Sequence, residues 1–256
     1  VIVSFTKALR CSVLLVGATV RPGTLPAQAP VLELDHVYIV VPPGAAQAVQ
    51  ALRKAGVFID TATNRHDGEG TTSMAAFFQN AYLELLWVDS TLTVDSAHQA
   101  DAADFRRAAA WRDTGASPFG LGLHFRTGTV ADLRLPVTLD PVAGSDPPAF
   151  YILLRQPPES LATDLFVMPQ ERAVTSWIEA YRTRRPDLFA HPSGVQRVTR
   201  IVIQGALAQR PRAMDLDLRP IRFEVASEAL LLIDFDGGQG TQIWDLRPAL
   251  PVVLRR

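Results

Sequence analysis

Residues 80–88 read "NAYLELLWV", an apolar run with a single carboxylate, Glu84, at its centre. Period-two alternation places Glu84 on one strand face with Tyr82, Leu86 and Val88, and Leu83, Leu85 and Trp87 on the other. Neither face is polar enough to be wet, so the acid must meet a cation, a donor or a proton; buried alone it would be strongly destabilising or would neutralise. Upstream, "VLELDHVYIVV" at residues 31–41 raises the same problem with His36, which straight alternation puts on a face with Leu32, Leu34, Tyr38 and Val40. An imidazole and an acid, each set among apolar neighbours, can answer one another.

The chain between them has a readable order. "PPGAAQAVQALRKAG" spaces Ala45, Ala48, Val49, Leu52 and Ala55 at helical intervals, opens with prolines and stops at Gly56. "VFIDTAT" and "TSMAAFFQ" then read as strands around the polar loop "NRHDGEGT". The resulting order is strand, helix, strand, strand, strand, with His36 on the first strand and Glu84 on the last.

On those residues, and on "DGEGTTSMAAFFQNAYLELLWV", the segment from Leu32 to Val88 resembles the first module of the vicinal-oxygen-chelate superfamily, in its glyoxalase-like branch. The resemblance covers about a quarter of the chain well. It implies an α+β fold of βαβββ modules (glyoxalase/bleomycin-resistance-like) forming a curled mixed sheet, with extra strands toward the C-terminus. It also implies a small-molecule cup in which His36 and Glu84 hold one divalent metal, and an imidazole with a carboxylate suits Fe, Mn, Zn or Ni. The first module is expected at about 31–90, a degraded second module at about 118–170, and a strand-rich part at about 191–256.

Composition excludes more than it selects. The 256 residues carry 25 basic and 26 acidic side chains, so charge gives no reason to expect nucleic acid or an anionic membrane as partner. A hydrophobic content of 48% with 16 Gly and 19 Pro fits a strand-rich fold with many turns. Lys7 and Arg10 precede the apolar "CSVLLVGATV", and "AQA" ends at Ala29, so residues 1–29 read as a signal peptide and 30–256 as the mature domain. Periplasmic or secreted export is the expectation, the alternative being a disordered extension on a cytoplasmic protein. Cys11 is the only cysteine and lies inside that leader, which leaves the mature chain no disulfide or thiolate site. No other segment reaches the length of a membrane span. Paired modules with free sheet edges are compatible with a homodimer.

Farther along, the Ala-rich 98–111 favours a helix, "FGLGLHFRTG" a strand, and the stretch through "LDPVAGSDPPA" a loop. "FYILLRQ" and "DLFVMPQ" read as strands. Val174, Trp177, Ile178 and Tyr181 form the stripe of an amphipathic helix whose basic end suits the helix dipole. The last third alternates short strands and turns.

Two registrations bring different groups opposite His36 and Glu84. In the first, "GLGLHFR" faces them, and His124 completes a two-His-one-carboxylate metal set with His36 and Glu84. In the second, "VTRIVI" lies as "LDHVYI" does, so Arg200 replaces His36 and Asp245 replaces Glu84; a guanidinium cannot ligate a metal, and the cup would then suit an anion. Glu84 is the candidate proton-moving group. Tyr82, Phe78, His66 and Arg200 are the candidate substrate contacts, with Trp87 or Trp244 as further aromatic lining. The chain is either a metal-dependent lyase, isomerase or dioxygenase on a small oxygenated substrate, or a metal-free binder of a small molecule in the same cup. No nucleophile elbow or phosphate-binding loop is present in the sequence.

Overall fold

The computed structural model describes residues 31–133, 136–141, 150–154, 161–206, 217–237 and 241–256; the expected leader, residues 1–29, lies outside them. Strand β1 (Val31–Val40) is followed by α1 (Ala46–Lys54), β2 (Asp60–His66), β3 (Thr71–Phe77) and β4 (Tyr82–Val88), the βαβββ order expected from the sequence. Helix α1 buries Ala48, Val49 and Leu52, and Gly56 follows it in the left-handed conformation that glycine adopts without steric cost. Next come α2 (Gln99–Ala109), α3 (Trp111–Thr114), β5 (Phe119–Thr127), β6 (Val137–Pro141), β7 (Phe150–Leu154), β8 (Asp164–Val167) and α4 (Val174–Arg184). The chain continues with β9 (Val198–Gly205), β10 (Asp217–Arg219), β11 (Ile221–Val225), β12 (Leu230–Phe235), β13 (Ile243–Asp245) and β14 (Val252–Arg255).

These strands make two sheets. The first runs β2-β3-β4-β1-β5-β8-β7-β6, and β10 pairs with β1 off that path; the second runs β11-β9-β12-β14-β13. One edge of β1 is shared, because β4 pairs in parallel with residues 36–40 and β10 in parallel with residues 31–33. The other edge pairs antiparallel with β5. Fold class is α+β with mixed, open sheets and extra C-terminal strands, as expected.

The hydrophobic core lies on one face of the first sheet. Leu32, Leu34, Val37 and Ile39 of β1, Leu83, Leu85 and Trp87 of β4, and Phe119, Leu121 and Leu123 of β5 join Ile201, Ile203, Leu231 and Ile233 of the second sheet in one cluster with α1. Parity explains each strand except β1. Leu34 and Val37 can share a face only because the β1–β5 register shifts between Leu34 and His36, a bulge centred on Asp35. This corrects the expectation from straight alternation: His36 lies opposite Leu32 and Leu34, while Tyr38 and Val40 remain its companions. Tyr38, Val40 and Leu86 form a second small cluster under α2 with Phe105 and Phe166.

Two local readings also change. The "NRHDGEGT" loop is shorter than expected, since β2 runs through His66 and pairs it with Thr71. A strand, β6, forms at the start of the segment read as loop, at the outer edge of the first sheet, where the proline that ends it removes no interior ladder bond. Among the described residues, no helix is long and apolar enough to cross a membrane.

Candidate functional site

On the face of the first sheet away from the core, β1, β4 and β5 carry a row of titratable groups. His36 pairs with Tyr82 on β4 and with Gly122 on β5. Its ring is stacked on Tyr82, centroids 4.4 Å apart at 13°, and Phe166 of β8 meets it edge-on at 5.4 Å. Gly122 is what lets the ring lie there, because a Cβ at that position would stand 2.2 Å from His36 Cε1. Gly120 does the same for Tyr38, with a built Cβ 2.0 Å from Tyr38 Cζ. Gly122→Ala should therefore displace the imidazole and cost about 1–3 kcal/mol by overpacking; a thermal melt no lower than wild type would show that the cradle is not tight.

His36 is oriented from behind by Asp35, whose Oδ1 lies 2.8 Å from His36 Nδ1. Asp35 is fully buried, and its Oδ2 accepts the backbone N–H of Val174, the first residue of α4, at 2.5 Å. The bulge thus turns a carboxylate toward a helix N-terminus, where unpaired N–H groups and the helix dipole favour negative charge. With Nδ1–H donating to Asp35, neutral His36 presents an unprotonated Nε2, and that atom lies 3.8 Å from Glu84 Oε2.

Glu84 is 9% exposed, and among the described residues no hydrogen bond reaches its carboxylate. On its other side His66 Nε2 stands 3.8 Å from Glu84 Oε1. His66 is already engaged: the Asn64 amide Nδ2 donates to its Nε2 at 2.8 Å, which leaves Nδ1–H to donate to Thr71 Oγ1 at 2.9 Å. Glu69 Oε2 lies 3.7 Å from the same Nδ1. Burial raises the Glu69 carboxyl, against the pull of His66 and His98. Burial also holds the Tyr82 phenol well above its ordinary value, reinforced by the charge of Glu84, and raises Tyr151 in the same way with help from Glu69. Both phenols stay protonated donors. The apolar lining is Phe77, Tyr82 and Trp177, with Tyr181 and Phe189 behind them.

A family profile described as "Glyoxalase-like domain" matches residues 34–137, a span that contains His36, Glu84 and the frame from Leu34 of β1 through β5. Residues 34–137 carry a glyoxalase-like domain. Among solved structures, a hypothetical protein from Staphylococcus aureus is similar at 10% identity and a TM-score of 0.47, covering 88% of this chain and 98% of that one. No curated protein matches the chain.

In this glyoxalase-like domain the metal set expected from the sequence does not assemble. His124 is turned away from Glu84, its Nε2 3.7 Å from Glu33 Oε2 and its Nδ1 3.9 Å from Asp35 Oδ2. The lone pair of His66 is occupied by Asn64. Among the described residues no three His, Cys, Asp or Glu side chains converge to hold an ion. The donors present therefore do not fit a three-ligand centre, and the chemistry below uses the side chains alone.

Other expected contacts are also relocated. Phe78 enters the core against Phe235, at 4.7 Å, because it follows Phe77 and takes the opposite parity; Phe77 lines the cup instead. Trp87 is a core residue for the same reason, and Trp244 packs against the core. Arg200 belongs to β9 in the second sheet, away from His36, so the second registration matches local pattern but not place. Asp245 is exposed and bound by Arg247. The residues missed were Asp35, Trp177 and Glu69. Asp35 had a legible signal, a carboxylate next to His36, but straight alternation puts adjacent residues on opposite faces.

Beneath α2, Tyr38 donates to Asp164 Oδ2 at 3.1 Å. Although Asp164 keeps an open edge to solvent, the protein packed round it and then the like charges of Asp101 and Asp104 push its carboxyl up to about 6, against the Tyr38 bond that lowers it. A carboxyl raised in the folded state is least costly below its unfolded value near ~3.9 and loses stability as pH rises through ~6. Asp164→Asn should hence melt about 1–2 °C above wild type at pH 8 and equal it once the pH falls below about 3.5. A gain of the same size at both pH values would refute the assignment.

Proposed function

We propose that the glyoxalase-like domain binds a small carbonyl compound in the aromatic cup and moves a proton at the carbon next to that carbonyl. The observation that carries this is Glu84, a nearly buried carboxylate that no hydrogen bond reaches among the described residues, set 3.8 Å from each of two imidazoles. Structural acids at such burial are normally paired, and an unpaired one beside an oriented histidine suits general-base work. In the step, the C–H bond breaks, Glu84 takes the proton, and the electron pair moves onto the carbonyl oxygen. Tyr82 and Tyr151, both kept protonated, supply O–H donors to that oxygen. His36 Nε2 can then accept the proton from Glu84, since the imidazolium formed lies between Asp35 and Glu84.

The test is hydrogen–deuterium exchange in D2O, followed by proton NMR, over a panel led by 2-hydroxyacetophenone, an aromatic ketone with vicinal oxygens. Exchange above the buffer rate, unaffected by chelator, is expected. Quenching of Trp177 fluorescence by panel compounds with no exchange for any of them would reduce the domain to a binding protein.

A further inference from the structure

Beside the cup lies a cavity of about 320 Å3, within the range of small-molecule sites, between the end of β4, the segment after it and α2. Glu69 and Thr71 form the wall it shares with the cup, and these are the two residues that meet His66 on its Nδ1 side. Val88, Leu92, Val94 and Phe105 give it an apolar interior. Its charges are unequal in availability. Asp89 Oδ2 already accepts from the Thr72 hydroxyl at 2.8 Å, and Oδ1 from the Thr91 N–H and hydroxyl at 2.9 and 2.6 Å. These bonds hold the Asp89 carboxyl below its usual range and turn it to its own loop. Glu69 is raised by burial, and its Oε2 lies 3.7 Å from His66 Nδ1, so it is already faced by an imidazole. Arg106, on α2, is the remaining charge in the lining, and among the described residues no carboxylate or carbonyl receives its guanidinium; the next residue, Arg107, is by contrast paired with Asp104.

We infer that this cavity is the substrate's anchoring subsite and takes an organic acid, its carboxylate on Arg106 and its apolar body against Val88, Leu92 and Phe105. The end remote from Arg106 then faces Glu69 and Thr71, on the way to His66 and Glu84. This rests on the reading of the cup as a proton-transfer site, and it narrows the substrate class to small carboxylic acids bearing an apolar group. An acid is favoured over an amine because the free partner is cationic, while the carboxylates in the wall are already engaged, Asp89 by hydroxyl and backbone donors and Glu69 beside His66. A guanidinium also binds a carboxylate through two parallel N–H donors, which a neutral ligand cannot match.

Isothermal titration of phenylacetate against its neutral isostere phenylacetamide measures this on the intact chain. Wild type should bind the acid about tenfold more tightly than the amide, one charge-assisted contact's worth of preference. Arg106→Gln should bring the two ligands within about twofold of one another, while Arg107→Gln, with its melt as a check on folding, should keep the preference. Equal binding of acid and amide by wild type, or a preference that survives Arg106→Gln, would overturn the subsite. Acid-selective, Arg106-dependent binding with no carbon-bound exchange for any compound would support the subsite and remove the proton-transfer reading. Exchange without acid preference would do the reverse.

Discussion

Glu84→Gln should lower the exchange rate about 100- to 10,000-fold, the usual contribution of a positioned general base, while the protein melts at or above the wild-type temperature. The two halves of that result have one cause. Glu84 is 9% exposed and receives no hydrogen bond from the described residues, and its nearest polar neighbours are the His36 and His66 rings at 3.8 Å, so burial is offset by no direct donor. The amide has the same shape and no charge, and its NH2 can donate toward His36 Nε2, 3.8 Å from the carboxylate oxygen. Removing a structural ion-pair partner would have the opposite signature, since it would leave an uncompensated charge and lower the melt. A Glu84→Gln protein that exchanges within about threefold of wild type, or that melts markedly lower, would place Glu84 among the structural acids.

Asp35→Ala should be the most destabilising single change at the site, by about 3 kcal/mol, equivalent to roughly 6–12 °C for a chain of this size. Its carboxylate is buried completely and ties the β1 bulge that carries it to the first N–H of α4 and to the Nδ1 of His36. Deleting it leaves a buried helix-start N–H and a buried imidazole nitrogen without their acceptor. Asp35→Asn, which retains one acceptor oxygen, should fall between the two. Nitrogen-15 spectra of the imidazole supply a second readout. His36 should be the Nδ1–H tautomer in the wild type and should shift toward Nε2–H in Asp35→Ala. A loss below about 1 kcal/mol would mean that water replaces the carboxylate at little cost, and the orienting role would fail with it.

The legible part of this site was the part built by unbroken alternation. Along β4, Tyr82, Glu84 and Leu86 fall on one face as a period of two requires, and Leu83, Leu85 and Trp87 reach the core. The βαβββ order was equally plain from α1 and its flanking prolines and glycine. What escaped were departures of one residue. The bulge at Asp35 reverses the parity of the first half of β1, and a bulge is set by the partner strand, not by the residue that occupies it. Phe77 and Phe78 are identical neighbours whose fates differ only by the place where β3 ends. Arg200 shows a different limit, since a strand that resembles β1 locally joins another sheet, and sheet membership depends on contacts far along the chain. Trp177 was recognised on its helical stripe, yet the stripe could not say that the helix would cap the cup.

The strand β10 fills the stretch of β1 margin that β4 leaves open, pairing residues 31–33 with 217–219. Those two segments are separated by most of the polypeptide, so a ribosome must release residue 219 before the first strand acquires its full set of ladder bonds. Until then three consecutive peptide groups on one margin of β1 are available to any other extended chain. Closing that margin is consequently a long-range step with an entropic cost. A product cut short after residue 206 would keep every side chain from Asp35 to Glu69 and still present an open, self-adhesive seam beside them.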